Sequence, residues 1–115
     1  IDPEPGIDPA PGLGKVSAIS VGADHTCAII KSSGEIKCWG RNQYGQLGDG
    51  TNQTTQDVVT ASGLTNAVAL TSGIAQTCAR TKAGAVSCWG HNSAGTLGTG
   101  STADSFVPTP MIGFR

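Results

Sequence analysis

Two stretches of this chain are nearly the same, and together they decide its fold. Residues 38–50 read CWGRNQYGQLGDG and residues 88–100 read CWGHNSAGTLGTG, so eight of thirteen positions are identical at an offset of 50. Upstream, GADHTCA at 22–28 matches GIAQTCA at 73–79 at an offset of 51. Chance does not produce such agreement, so the chain is a tandem repeat. We divide it into a Pro-rich segment (1–15), a first unit (16–65) and a second unit (66–115).

The residues that recur in these stretches are expected to have structural roles. A loop that keeps the same Asn, Leu and Gly residues in both units is expected to have a fixed shape with one buried leucine. The recurring residues are Trp39, Gly40, Asn42, Gly45, Leu47, Gly48 and Gly50 in the first unit, and Trp89, Gly90, Asn92, Gly95, Leu97, Gly98 and Gly100 in the second.

Each unit reads as four short strands separated by turn residues. The predicted strands are 16–21, 25–31, 35–39 and 56–61 in the first unit, and 66–71, 76–81, 85–89 and 106–112 in the second. With 17 Gly and six Pro among 115 residues, the composition is rich in turn formers and poor in helix formers. A four-stranded unit of about 50 residues that cannot cover its own two faces is typical of a β-propeller blade.

The repeated motif also resembles a known family. Trp-Gly-x-Asn-x-x-Gly-x-Leu-Gly-x-Gly, preceded by HTCA at 25–28 and a turn at Gly34, is similar to the regulator of chromosome condensation repeat over residues 16–114. The resemblance implies an all-β fold of two four-stranded antiparallel β-propeller blades. Members of this family commonly have seven blades, so two blades are expected to be part of a larger propeller, or of a propeller or stack completed by oligomerisation.

The four cysteines are placed for two disulfides. Cys27 and Cys38 flank one tight hairpin, and Cys78 and Cys88 flank its equivalent. Opposed residues of antiparallel strands have Cβ atoms about 4.5 to 5.5 Å apart, so a disulfide needs only a modest adjustment. Buried free thiols remain an alternative, whereas a zinc site is disfavoured because neither pair has the C-x-x-C spacing. Versions of the family with cysteines resemble exported bacterial proteins, which implies an extracellular, cell-surface or periplasmic location.

The aromatic and imidazole side chains have two interpretations each. Trp39 and Trp89 are expected to fill the same space between blades, and the alternative is a stacking platform for a sugar or a partner. His25 is replaced by Gln76 in the second unit, so we interpret it as a polar cap at a strand end. His91 is interpreted as surface variation.

No pattern of residues indicates catalysis or cofactor binding. The acidic residues are scattered, no phosphate-binding loop is present, and no nucleophile has a base beside it in a recognised motif. We therefore expect no enzyme, no cofactor and no metal site. Only 13% of residues are charged and the net charge is −1, which gives no basic surface for nucleic acid, and no apolar run is long enough to insert into a membrane. The Asn52-Gln53-Thr54 triplet fits a glycosylation pattern, and its use is left open.

The ends of the chain suggest partners. Residues 1–12 repeat the hexapeptide IDP-x-PG, which favours an extended linker or docking segment, with Ile1, Ile7 and Leu13 as contacts to an adjacent chain. A two-blade array exposes an apolar face at each end. We therefore expect a homo-oligomer or a fragment of a longer repeat chain, rather than a free monomer.

These features favour a non-enzymatic structural or protein-interaction module outside the cytosol. The alternative is a secreted inhibitor or regulator that binds a partner through its blade loops, with Tyr44 and Phe106 as contacts. The family that the repeat resembles implies a third function, guanine-nucleotide exchange with chromatin binding, which is that of its founding member. The cysteine pairs and the lack of a basic tail argue against that activity.

Overall fold

The computed structural model describes residues 15–92, 97 and 103–111. Its strands are β1 (Val16–Val21), β2 (His25–Ile30), β3 (Ile36–Gly40), β4 (Thr55–Thr60), β5 (Ala67–Ser72), β6 (Gln76–Thr81), β7 (Val86–Gly90) and β8 (Ser105–Pro110). Strands β1 and β6 have the predicted bounds, and the other six differ from the predicted bounds by one or two residues. Strand β3, for instance, extends to Gly40 because Gly40 still pairs with His25 of β2.

The strands form two four-stranded antiparallel sheets, β1-β2-β3-β4 and β5-β6-β7-β8. We call them blade 1 and blade 2. Even the irregularities recur: the register shifts between Val16 and Ala18 in blade 1 and between Ala67 and Ala69 in blade 2. The expected all-β fold of two blades is confirmed.

The glycine after each tryptophan is required by a close backbone approach. Gly40 and Gly90 have φ angles of 113° and 108°, a region that other residues rarely adopt. A β-carbon on Gly40 would lie 2.6 Å from the carbonyl oxygen of Asp24. That same oxygen accepts a hydrogen bond from the backbone N–H of Arg41 at 2.9 Å, so the chain must pass this close to Asp24.

The described core lies between the blades. Residues opposed in an antiparallel ladder point to the same side of the sheet, so each blade has two faces. We call the side carrying Cys27 and Ile29, or Cys78 and Arg80 in blade 2, the trailing face, and the opposite side the leading face. The trailing face of blade 1 packs on the leading face of blade 2. The cluster between them comprises Cys27, Ile29, Ile36, Cys38, Leu47 and Ala61 of blade 1 with Ala67, Ala79 and Trp89 of blade 2.

Candidate interaction faces

Both predicted disulfides are present, each across the central hairpin of its blade. Cys27 is opposite Cys38 in the β2–β3 register, with an S–S distance of 2.13 Å and a Cα–Cα distance of 4.1 Å. Cys78 and Cys88 are joined in the same way across β6 and β7. Cys27 and Cys38 are fully buried between the blades, whereas Cys78 is only half-buried on the trailing face of blade 2. Chemically equivalent bonds therefore differ in their access to solvent.

The repeated loop is held in shape by its asparagine. The side chain of Asn42 is fully buried, and its Oδ1 accepts a hydrogen bond from the backbone N–H of Leu47 at 2.9 Å. Its Nδ2 donates to the carbonyl oxygens of Thr51 and Gln53, both at 3.1 Å. The buried amide thus ties both ends of the loop together and places Leu47 in the core.

The second loop uses the same device. Asn92 is fully buried, its Oδ1 accepts from the backbone N–H of Leu97 at 2.9 Å, and its Nδ2 donates to the carbonyl of Ala103 at 2.9 Å. Leu97 is 1% exposed. The predicted role of the repeated Asn and Leu as a structural pair therefore agrees with both loops, although Gly95, Gly98 and Gly100 lie outside the described residues.

The two tryptophans occupy different environments. Trp89 is fully buried because the loop of blade 1 covers it: a β-carbon on Gly48 would lie 2.7 Å from Trp89 Nε1. Trp39 holds the equivalent position on the leading face of blade 1 and is only half-buried. The repeated tryptophan is therefore fully buried only in the blade that is covered by the loop of the preceding blade.

A polar relay crosses the interface beside Trp89. The Thr77 hydroxyl donates to the carbonyl oxygen of Gln46 at 3.0 Å and lies 2.9 Å from His25 Nε2. Since the hydroxyl proton is used on Gln46, the network assigns the imidazole proton to Nε2, which donates to Thr77. Sequence reasoning interpreted His25 as a strand-end cap and missed this role, because its partner Thr77 belongs to the other blade, 52 positions away in the chain.

Burial also determines the electrostatics of His25. The side chain is 2% exposed, and loss of hydration lowers its pKa below the ordinary value of 6.5. A backbone hydrogen bond involving Gln76 and the charge of Asp24 oppose this shift without cancelling it. His25 is therefore expected to be neutral in the folded protein at neutral pH.

Tyr44 and Phe106, the predicted partner contacts, lie where the two blades meet. The Tyr44 ring is 4.2 Å from the His91 ring, centroid to centroid, and His91 Nδ1 lies 3.2 Å from Asp104 Oδ1. Phe106 packs on Gly45, where a β-carbon would come 2.3 Å from its Cδ1. Both aromatic residues are half-buried and contribute to blade packing. Because His91 lies against Tyr44 and Asp104, it is a contact residue rather than simple surface variation. Their role in binding a partner stays a prediction.

The trailing face of blade 2 is the open counterpart of the buried face of blade 1. Thr71 and Arg80 are exposed on it, Cys78 and Val86 are half-buried, and a depression of about 270 Å³ lies beside Leu97. The predicted docking residues Ile1, Ile7 and Leu13 lie outside the described residues. Within the described residues no cluster of His, Cys, Asp or Glu is arranged to hold a metal ion, and no helix is long and apolar enough to cross a membrane.

Comparison with known proteins agrees with this geometry. Two models of the regulator of chromosome condensation (RCC1) repeat match the chain, one over residues 16–46 and the other over residues 33–79. The chain belongs to the RCC1 repeat family. No curated protein matches the chain in sequence.

Solved structures place the RCC1 blades in larger proteins. Human WBSCR16 matches with 27% identity and a TM-score of 0.75, over 88% of this chain and 27% of that one. Prp20p from Saccharomyces cerevisiae, in a structure described with its binding to Gsp1p and histones, matches with 24% identity and a TM-score of 0.76, over 89% of this chain and 25% of that one. Yeast RCC1 (Prp20) with Kap60 bound matches with 17% identity and a TM-score of 0.75, over 90% and 26%. The chain therefore spans about a quarter of the length of these proteins.

Proposed function

We propose that this chain is a non-enzymatic protein-interaction module, built of RCC1 repeats, in a protein that works outside the cytosol. The observation that carries the proposal is the open trailing face of blade 2. In blade 1 the same face buries Cys27 and Ile29 to 1% exposure or less, whereas their counterparts in blade 2, Cys78 and Arg80, are half-buried and exposed. A sheet face of this kind is stabilised when another surface covers it.

The solved relatives support protein binding as the general role. The yeast protein Prp20p is described with its binding to Gsp1p and histones, and with Kap60 bound. This chain spans only about a quarter of that protein, so we take from it the kind of role and not the partners. We propose a protein partner, further copies of this chain or further repeats as the binding partner.

The disulfides support an extracellular, cell-surface or periplasmic location. Disulfides persist in oxidising compartments and are rare where glutathione and thioredoxin keep thiols reduced. Here the bond lies at the same place in both blades. We infer that the chain folds and works in an oxidising environment.

The use of the polar side chains supports a non-enzymatic role. His25 is hydrogen-bonded to Thr77 inside the interface, His91 lies against Asp104 and Tyr44, and Asn42 closes a loop. Each of these groups has a structural contact that explains its presence.

A site-specific cross-linking experiment tests the proposal. A photo-reactive phenylalanine analogue replaces Thr71 on the trailing face, and as a matched control it replaces Ala83 at the exposed tip of the β6–β7 turn. Both proteins are produced with export in the source organism. We expect Thr71 to give a discrete protein adduct that Ala83 does not give, and equal labelling at both positions would contradict the proposal.

A further inference from the structure

We propose that one edge of the two blades is a docking surface for the acidic, Pro-rich residues 1–12 of the same chain. We call this edge the turn rim, because it carries the β2–β3 and β6–β7 turns, and the opposite edge the loop rim. The turn rim comprises Lys15, Lys37 and residues 31–35, 63–66 and 81–85, and the loop rim comprises residues 22–24, 41–54, 73–75, 91 and 103–104. The inference goes beyond the proposed function, because it concerns neither the trailing face of blade 2 nor an external partner.

The charged side chains are divided between the two rims by sign. The turn rim carries Lys15, Lys31, Glu35, Lys37 and Lys82, the loop rim carries Asp24, Arg41, Asp49 and Asp104, and the other described charges, Asp57 and Arg80, lie within strands. Four lysines against one glutamate give the turn rim a net charge of +3, and three aspartates against one arginine give the loop rim −2, with histidines neutral. The overall net charge of −1 conceals this separation. The turn rim therefore attracts an acidic ligand.

Three of the lysines on the turn rim are available to such a ligand. Lys37 lies 4.0 Å from Glu35, so its charge is already compensated. Lys15, Lys31 and Lys82 are exposed, and no carboxylate of the described residues lies within 4.0 Å of their ammonium groups. These three groups can receive carboxylates without losing an internal ion pair.

The turn rim is continuous from one blade to the next. The backbone N–H of Ala67, at the start of β5, donates to the carbonyl oxygen of Gly34 in the turn of blade 1 at 3.2 Å. The backbone N–H of Lys82, in the turn of blade 2, donates to the carbonyl oxygen of Asn66 at 2.8 Å. The two turns are therefore held side by side, and one extended ligand can lie along both.

A depression of about 500 Å³ lies in this rim, between the β4–β5 connection and the β6–β7 turn. Gly63 and Leu64 supply apolar surface to it, and Asn66, Thr81 and Lys82 supply polar groups. A ligand that fits this surface combines an apolar side chain with carboxylates.

The hexapeptide repeat that precedes β1 has this chemistry. It lies outside the described residues, and its sequence contains Asp2, Glu4 and Asp8 without any Lys or Arg, together with Ile1 and Ile7. Its proline content favours a polyproline helix, in which residues six apart lie on the same side, so each repeat presents the same Ile-Asp pair to a surface. A segment that is extended before it binds loses little conformational freedom on docking.

The segment is also attached to the rim that it would occupy. Lys15 directly precedes β1, and its carbonyl oxygen accepts a hydrogen bond from the backbone N–H of Lys31 at 2.9 Å. Ile7 is eight residues before Lys15, which corresponds to about 25 Å of polyproline helix, whereas packed sheets lie about 10 Å apart. The segment can therefore reach the depression in blade 2. The high effective concentration of a tethered ligand offsets the weakness of exposed ion pairs.

Zero-length cross-linking tests the inference. The chain of residues 1–115 is treated with a water-soluble carbodiimide, which joins a carboxylate to an amine only where the two are in contact, and the linked peptides are identified by mass spectrometry. The matched control is Arg41→Lys, which places a reactive amine on the loop rim and retains the charge there. Isotope-labelled and unlabelled protein are mixed beforehand, so that links within a chain are distinguished from links between copies. Reactions are run at about 0.1 M and about 1 M salt.

We expect Asp2, Glu4 or Asp8 to be linked to Lys82 of the same chain. The yield should exceed that at the amine introduced by Arg41→Lys by about tenfold or more, which is the enrichment that a complementary surface potential provides. It should fall at high salt, because the screening length shortens from about 10 Å at 0.1 M to about 3 Å at 1 M.

Several results would overturn the inference. They are an absence of links between residues 1–12 and Lys82, equal yields at the two rims, and a yield that does not depend on salt. Links only between copies would also overturn it: from residues 1–12 they would assign the turn rim to the segment of a second copy, and from Asp24 or Asp104 to the loop rim of a second copy. The Thr71 cross-link concerns a different face, so failure of either experiment leaves the other proposal unaffected.

Discussion

Gly48 of blade 1 lies against the indole of Trp89 of blade 2, so closely that a β-carbon at residue 48 would come 2.7 Å from Nε1 and 2.9 Å from Cδ1. Gly48 also has a φ angle of 74°, in the region that glycine adopts most readily. The two residues belong to the same repeated motif, one in each unit, yet they meet across the interface. The motif therefore carries both parts of a contact that forms between successive units.

Replacing Gly48 by alanine should destabilise the protein more than the same change at Gly63. Gly63 has a φ angle of 81°, and a β-carbon added there would meet no other part of the chain within 4 Å, so Gly63→Ala has the conformational cost alone. Gly48→Ala adds the displacement of Trp89, which as overpacking costs about 1 to 3 kcal/mol. Urea unfolding followed by tryptophan fluorescence measures both losses. Equal losses would show that the indole can move without cost.

Truncation of the two tryptophans should have unequal effects. Trp89→Ala removes a fully buried ring and should lower the free energy of unfolding by about 3 to 5 kcal/mol. Trp39→Ala removes a half-buried ring and should cost clearly less. Calorimetry of the two variants provides the comparison, and a loss at Trp39 as large as that at Trp89 would mean that another surface covers Trp39 in solution.

The two disulfides should differ in their rate of reduction under native conditions. Alkylation of the denatured, unreduced protein should label none of the four cysteines. With a mild thiol reductant and no denaturant, we expect Cys78 and Cys88 to be labelled first, because Cys78 is accessible on the trailing face whereas Cys27 and Cys38 are covered by blade 2. Peptide mass spectrometry identifies the labelled residues.

The same experiment has an internal control. Trp89→Ala, which loosens the cover over blade 1, should accelerate the labelling of Cys27 and Cys38. Labelling of Cys27 and Cys38 before Cys78 and Cys88 in the unsubstituted protein would contradict this account of their accessibility.

Stability should decrease as the pH is lowered through the titration of His25. Burial lowers its pKa in the folded state below 6.5, so below that pH the unfolded chain binds more protons than the folded one. Linkage then makes the free energy of unfolding fall from about pH 6.5 down to the folded-state pKa, and level off with respect to this group below it. Above pH 6.5 His25 contributes no pH dependence.

His25→Gln is the matched variant for this prediction, because blade 2 has Gln76 at the same position. It should remove the part of the pH dependence that lies just below 6.5 and leave the acid limb due to carboxylates. Urea midpoints measured from about pH 5 to pH 8 for both proteins test it, and parallel curves would contradict the assignment to His25.

The repeat and its strands could be predicted from the sequence because their signals are local. Turn glycines, alternating residues and the paired cysteines each report on neighbours within about a dozen positions, and that information alone is enough to place β2–β3 and its disulfide. The shaped loop is likewise predictable, since the Asn and Leu recur together. The hydrogen-bond partners of Asn42 could not be predicted, because many different backbone groups can satisfy a buried amide.

The contacts between the units could not be predicted in the same way. His25, Thr77 and Gln46 form one network although His25 and Thr77 are 52 positions apart, and no local pattern links them. The difference between Trp39 and Trp89 is invisible in a repeat alignment, because it depends on which neighbour is present and not on the residue. The repeat alignment places Arg80 opposite Ile29, but only the structure shows that Ile29 is buried between the blades whereas Arg80 is exposed.

The contact between Gly48 and Trp89 has an arithmetic consequence for arrays of this repeat. Each unit supplies the indole for one junction and the glycine for the next, so an open row of n units completes n − 1 such junctions, and a closed ring completes n. The first unit added to a lone blade therefore gains a whole junction without any new sequence. Tandem duplication of one unit is therefore enough to form a junction, and a closed ring of n units has one junction more than an open row of n units.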